Sequence, residues 1–105
     1  MKHSIGIRDG IKYIRLESNE PLSLLVLCEL TKYSQVIFSQ DFNHDIDDLP
    51  DNITHIIFEN NYNKIINKYP KNLISLIFGV YYNQILINLP SSLIYLNLGS
   101  AFNQN

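Results

Sequence analysis

Apolar positions along this chain recur with a period of twenty residues. Three segments align without gaps, and each carries a Pro at its second position, an apolar trio, and then an aromatic–Asn pair. They are LPDNITHIIFENNYNKIINK from Leu49, YPKNLISLIFGVYYNQILIN from Tyr69 and LPSSLIYLNLGSAFNQN from Leu89. The match continues one period upstream, where Leu30 occupies the proline position. Four copies at a fixed spacing indicate a repeat protein.

The spacing inside one copy predicts a short β-strand. The last two apolar residues of each trio lie two positions apart, so they share one face of a strand. These pairs are Val36/Phe38, Ile56/Phe58, Leu76/Phe78 and Leu96/Leu98. One such strand cannot bury its own face, but parallel copies stacked about 4.8 Å apart form a continuous core. The pattern therefore predicts a mainly β fold, a short parallel-strand solenoid whose return limbs are irregular or 3₁₀.

The first 29 residues follow a different pattern, which predicts an N-terminal cap. Asp9-Gly10 between two alternating segments is typical of a β-hairpin turn. Asn19 then reads as a helix N-cap, with Pro21 in the first turn of a short helix. The segment IKYIRLESNEPL also fits the repeat, but only with a two-residue shift. The predicted division is a cap over 1–29 and repeats over 30–105, divided into 30–48 (degenerate), 49–68, 69–88 and 89–105 (incomplete).

Composition and charge exclude several classes of protein. The net charge is −2 and charged residues make up 17% of the chain, which argues against a nucleic-acid binder. The longest apolar run, residues 21–30, is about half the length of a membrane span. A single cysteine, Cys28, excludes an internal disulfide and suits a reducing compartment; the run around it predicts that its side chain is in the core. The first residues contain no apolar segment of the kind found in a signal peptide, so we expect a cytoplasmic protein.

Side chains with catalytic or metal-binding chemistry do not form a recognisable arrangement. His44 and His55 occupy different parts of the repeat unit, and no nucleophile is spaced to join them. The acidic stretch 41–51 lacks the ordered oxygen ligands, Gly and closing Glu of a calcium loop. The period instead places Asp48 over Lys68 and Asp51 over Lys71 as exposed ion pairs between turns. The sequence thus predicts no enzyme, no metal site and no cofactor.

Two columns of repeated residues have structural explanations. Four asparagines, Asn43, Asn63, Asn83 and Asn103, are predicted to form a structural ladder on the inside of successive turns, since an amide can satisfy main-chain groups at a tight turn. Ligand binding by this ladder is the alternative. The aromatic column, Phe42, Tyr62, Tyr82 and Phe102, is predicted to pack at the edge of the core rather than to stack nucleic-acid bases.

Strand residues that alternate with the core positions are predicted to line a concave sheet. These candidate partner-binding residues are Gln35, Ile37, His55, Ile57, Ser75, Ile77, Tyr95 and Asn97. Ile37, Ile57 and Ile77 would form an exposed apolar stripe beside polar neighbours, and such patches mark protein contact sites. The alternative is that isoleucine is simply a good strand former in an Ile-rich sequence.

The copies resemble the FNIP repeat, which is related to leucine-rich repeats (LRRs) and occurs in social-amoeba and giant-virus proteins. LPSSLIYLNLGSAFNQ, residues 89–104, is similar to the family pattern L-P-x-S-L-x-x-L-x-F-G-x-x-F-N-x-P-I. Leu86 departs from that pattern near a position where the family prefers Pro. The resemblance covers residues 30–105 and implies an LRR-like solenoid, a protein-interaction role and no catalytic residues. Because some members join these repeats to an F-box-like segment, residues 1–29 have a second interpretation as an adaptor-docking element.

Two functions remain open at this stage. The first is a protein–protein interaction module, binding a partner of unknown identity through its concave sheet and possibly recognising substrates for an adaptor. The second is a structural or vestigial truncated array that self-associates end to end, because residues 89–105 lack a return limb and leave Leu93, Leu96 and Leu98 uncapped. Neither function involves nucleic acid or a membrane.

Overall fold

A computed structural model describes residues 2–104 and contains one six-stranded sheet beside a short helix. The elements in chain order are β1 (His3–Arg8), β2 (Ile11–Leu16), α1 (Leu24–Leu30), β3 (Gln35–Phe38), β4 (His55–Phe58), β5 (Ser75–Ile77) and β6 (Tyr95–Asn97). The strands lie side by side in sequence order, with β1 antiparallel to β2 and every later pair parallel. The predicted mainly β, LRR-like solenoid is confirmed. Its return limbs between β3 and β6 contain turns and irregular chain in the described residues.

The register of the sheet follows the period of the sequence. Val36 lies opposite Ile56, and Ile56 opposite Leu76, so consecutive turns are offset by twenty residues. Ile14 lies opposite Val36, which is an offset of 22 residues and accounts for the two-residue shift of the first copy. The strand β2 is therefore the first parallel strand of the solenoid. The hairpin formed by β1 and β2 extends the sheet as well as covering its first turn.

The turn between β1 and β2 has the backbone conformation that its residues favour. Asp9 and Gly10 both have positive φ, 52° and 80°, which is the combination a two-residue type I′ hairpin turn requires. The hairpin expected from Asp9-Gly10 is present at that position.

The helix begins later than the sequence predicted, and its N-cap is different. Ser23 caps α1, since its Oγ accepts a hydrogen bond from the N–H of Val26 at 3.3 Å. Asn19 was the wrong choice because its side-chain oxygen already accepts a hydrogen bond from the N–H of Asn43 at 3.0 Å. The helix buries Leu30 in the core, whereas Cys28, expected in the core, is exposed on its surface. No helix among residues 2–104 is both long enough and apolar enough to cross a membrane.

The core lies between the sheet and the return limbs. Successive turns contribute one column of strand side chains, Ile14, Val36, Ile56 and Leu76, all at most 1% exposed. A second column is aromatic, and rings stack within and between turns: the centroids of Phe58 and Tyr62 lie 4.0 Å apart, and those of Phe58 and Phe78 lie 5.5 Å apart. Phe42, Tyr62 and Tyr82 are fully buried, as their predicted packing role requires. Phe102 is only partly buried against the same core.

Candidate interaction surface

Six of the candidate partner-binding residues lie on one face of the sheet, which we call the outer sheet face. Along β4 the core residues Ile56 and Phe58 alternate with half-buried His55 and Ile57. The alternation repeats in β5, where Ser75 and Ile77 are half-buried, and in β6, where Tyr95 and Asn97 are exposed. Because the strands are in register, these side chains form two rows, His55–Ser75–Tyr95 and Ile57–Ile77–Asn97.

The first strand of the predicted surface does not contribute to it. Gln35 is 3% exposed and Ile37 is 8% exposed, so the predicted apolar stripe of three isoleucines is reduced to two. Arg15 lies opposite Ile37 on β2, and its Nη2 donates a hydrogen bond to Glu59 Oε1 at 2.6 Å. Glu59 directly follows β4, so the Arg15 side chain passes over β3 and shields Ile37. The hydrogen bond that Arg15 donates to Glu59 raises the pKa of the Arg15 guanidinium above its usual value.

A shallow groove of about 480 Å³ adjoins the outer sheet face at the carboxyl ends of the strands. Glu59, Val80 and Asn97 are among the residues that line it. Gly79 also lines the groove, and its main chain packs closely on the preceding turn, where a Cβ would overlap the carbonyl oxygen of Glu59. Val80 is exposed, so the groove offers an apolar wall beside the carboxylate and amide groups of its neighbours. Such a groove can hold an apolar side chain while polar groups bind the main chain beside it.

His55 contributes an imidazole to the outer sheet face. Its Nδ1 lies 2.8 Å from Thr54 Oγ1. Burial lowers the pKa of His55 below its ordinary value, and the nearby carboxylate of Asp9 only partly opposes this shift. Burial therefore disfavours a positive charge on His55, and the Arg15 guanidinium at the edge of this surface is paired with Glu59.

The predicted asparagine residues form a chain of hydrogen bonds between turns. The N–H groups of Asn63, Asn83 and Asn103 each donate to the side-chain Oδ1 of the asparagine one turn earlier, at 2.9 Å in every case. Asn19 accepts from Asn43 in the same way and begins the series. The sequence did not show that Asn19 belongs to this series, because α1 lengthens the first turn. Asn19 therefore lies 24 residues before Asn43 rather than 20. The series also lies at the surface rather than on the inside, since Asn63 and Asn103 are exposed.

Aspartate side chains between β3 and β4 accept hydrogen bonds from main-chain N–H groups of the next turn. Asp51 Oδ1 accepts a hydrogen bond from the N–H of Lys71 at 2.9 Å, and Asp47 Oδ1 accepts from the N–H of Asn67 at 3.1 Å. The predicted ion pairs of Asp48 with Lys68 and Asp51 with Lys71 do not occur among the ion pairs of residues 2–104. A side chain that bonds the main chain gives up less rotamer freedom than two long charged side chains held together, which accounts for the difference. The same described region holds no group of three or more His, Cys, Asp or Glu side chains arranged for a metal ion.

Comparison with known proteins agrees with this architecture. The sequence model of the FNIP repeat matches residues 38–79 and, overlapping them, residues 67–101. No curated protein matches the chain. The crystal structure of CroV588, described as a novel circular LRR protein, superimposes with a TM-score of 0.78 and 34% sequence identity. That alignment covers 95% of this chain and 16% of CroV588, so the chain spans a small part of that protein's length.

The two matches agree with each other and with the geometry. FNIP repeats and LRR-like solenoids are generally scaffolds for protein interaction rather than enzymes. The family match extends over more than half of the residues, and it includes the strands β4 to β6 with their intervening limbs. This chain belongs to the FNIP-repeat family.

Proposed function

We propose that the chain is a protein–protein interaction module that binds a protein partner through the outer sheet face of β4 to β6. The observation that carries this proposal is the pair of in-register rows, with Ile57 and Ile77 half-buried at the centre of the surface. The module acts by binding alone, without catalysis, and does so in the cytoplasm. Selecting substrates for an adaptor would use the same surface.

The chemistry of the surface suits a neutral, partly apolar partner segment. The cores of protein interfaces are depleted in charged residues and enriched in aromatic and apolar ones. Ile57 and Ile77 supply adjacent apolar contacts, Tyr95 supplies an exposed ring, and Ser75 and Asn97 supply hydrogen-bonding groups on either side. Gln35 and Ile37 lie outside this footprint because both are already buried.

The test replaces the central isoleucines with threonine, which keeps the β-branched side chain that suits a strand but is smaller and carries a hydroxyl group. We expect the Ile57→Thr/Ile77→Thr variant to fold and to lose the partner that the wild-type chain captures, measured by quantitative pull-down and mass spectrometry. The matched control is Ile5→Thr/Ile7→Thr, which makes the same change at two exposed positions of β1 and leaves capture intact. Unchanged capture by the Ile57/Ile77 variant, with its circular dichroism and unfolding midpoint preserved, would overturn the proposal.

A further inference from the structure

The shallow groove beside the outer sheet face has four planar polar side chains among its lining residues. Gln40, Asn60 and Asn97 contribute amides, and Glu59 contributes a carboxylate. Gly79 lines the groove as well and has no side chain to fill it. The volume of about 480 Å³ lies within the range of small-molecule sites in proteins. The groove is therefore large enough for a small polar ligand.

Two of these amides lie at equivalent positions of consecutive turns. Gln40, Asn60 and Val80 are offset by twenty residues, which is the period of the sheet register, and all three residues are exposed. Each has a described turn on either side, so its exposure belongs to this position of the repeat. Because neighbouring strands lie about 4.8 Å apart, Gln40 and Asn60 are adjacent, with the apolar Val80 one turn further along.

The amides of Gln40 and Asn60 have unused hydrogen-bonding capacity. Neither side chain forms a hydrogen bond with another described residue. An amide side chain has N–H donors and an oxygen that accepts, so each can bind a group that donates and a group that accepts. The main chain beside them is paired between turns, since Tyr81 donates its N–H to Asn60 O at 3.2 Å and Ala101 donates its N–H to Val80 O at 3.0 Å. A ligand at these positions therefore meets free side-chain amides.

Charge limits the class of ligand. Glu59 is the only charged residue among the described residues that line the groove, and its Oε1 accepts a hydrogen bond from Arg15 Nη2 at 2.6 Å. An anionic ligand would meet the carboxylate of Glu59 without an unpaired cation to bind, and like charges repel. A cationic ligand would have to compete with Arg15 for that carboxylate. The groove therefore suits an uncharged ligand.

We propose that this groove binds an uncharged oligosaccharide. A sugar hydroxyl both donates and accepts hydrogen bonds, and the amides of Gln40 and Asn60 do the same. The carboxylate of Glu59 adds an acceptor for a further hydroxyl. The C–H groups on one face of the sugar ring pack against Val80, which is 43% exposed.

The adjacent free amides favour a sugar over a peptide. The N–H and C=O groups of a peptide have fixed directions, whereas each hydroxyl of a sugar rotates to donate or accept as its neighbour requires. Several hydroxyls on one ring can therefore use both amides at once. The inference does not depend on the proposed partner-binding function, because Gln40, Asn60 and Val80 lie outside the two rows of the outer sheet face.

The experiment titrates the isotope-labelled 105-residue chain with sugars and follows its NMR signals. The probes are the uncharged disaccharides cellobiose, maltose and diacetylchitobiose, with digalacturonic acid and an uncharged capped tripeptide for comparison. The side-chain amide signals of Gln40 and Asn60 and the main-chain N–H of Gly79 report on the groove. Asn60→Ala removes one of the proposed ligand-binding amides. Asn61→Ala is the matched control, since Asn61 is exposed in the same turn but does not line the groove.

We expect at least one of the uncharged disaccharides to shift the groove signals at millimolar concentration. Asn60→Ala should weaken that binding about fivefold, as the loss of a hydrogen bond does, and Asn61→Ala should leave it unchanged. The proposal is overturned if no uncharged disaccharide shifts these signals, or if digalacturonic acid or the tripeptide shifts them as strongly. An equal effect of the two alanine variants would also overturn it, because the binding site would then lie outside the groove.

Discussion

The side chain of Arg15 on β2 extends across β3 and donates a hydrogen bond to Glu59, with Nη2 2.6 Å from Oε1. Ile37 lies opposite Arg15 on β3, beneath this side chain, and is buried. This contact joins the N-terminal hairpin to the second turn of the repeats, bypassing β3. It also sets the boundary of the outer sheet face, because everything beneath the Arg15 side chain is closed to a partner.

The first prediction concerns the strength of this contact. In a double-mutant cycle with Arg15→Met and Glu59→Gln, we expect a coupling free energy of about 0.2–1 kcal/mol, since both groups are partly exposed and solvent screens them. Urea unfolding at two salt concentrations measures it, and the coupling should fall at high salt. A coupling that is zero at low salt would show that the pair does not hold the hairpin to the repeats.

The second prediction concerns the asparagine series. Asn63→Ala removes the oxygen that accepts from the N–H of Asn83 and from the side-chain amide of Gln84. We expect a loss of about 0.5–1.5 kcal/mol in the free energy of unfolding, typical of hydrogen bonds at a partly solvated site. Asn63→Asp, which keeps an acceptor oxygen at that position, should recover part of the loss. Asn61→Ala, at an exposed asparagine of the same turn, is the matched control.

The third prediction concerns pH. Burial lowers the pKa of His55 in the folded chain, so the unfolded chain binds a proton more readily. The contribution of His55 to stability is therefore present above its ordinary pKa of about 6.5 and is lost as the pH falls below that value. Thermal unfolding between pH 5 and 8 should show this decline in the wild-type chain, with a smaller decline in His55→Gln. The same decline in His55→Gln as in the wild-type chain would contradict this prediction.

The fourth prediction concerns the close approach of two turns. In Gly79→Ala the new methyl group would overlap the carbonyl oxygen of Glu59, and a main-chain atom cannot rotate away. We expect the free energy of unfolding to fall by about 3 kcal/mol, the upper end of the usual cost of overpacking. Gly10→Ala is a useful comparison, because its Cβ meets open space and only the positive φ of 80° is unfavourable. That strain costs about 1–2 kcal/mol, so urea unfolding should rank Gly79→Ala as the more damaging change.

The sequence alone determined the repeat, its period and the strand faces. Ile56 and Phe58 recur one turn later as Leu76 and Phe78, and a pattern of this kind can bury its apolar side chains only by stacking turns. The sequence also predicted that the copy containing Ile14 is shifted by two residues from the period of twenty, because register follows the hydrophobic pattern. Each of these features depends on residues close together in the chain.

Only the tertiary structure decided which surface positions are available and which polar groups meet. Ile37 has the same sequence pattern as Ile57, yet it is buried because Arg15, 22 residues earlier, extends over it toward Glu59, 44 residues beyond Arg15. The sequence predicted Asn19 to be a helix cap, but in the structure its side chain accepts a hydrogen bond from the N–H of Asn43. It predicted an ion pair for Asp51, whose side chain instead accepts a hydrogen bond from the N–H of Lys71. Periodicity places a side chain on a face of the solenoid, but the reach of long side chains and the competition between main-chain and side-chain partners are settled only in three dimensions.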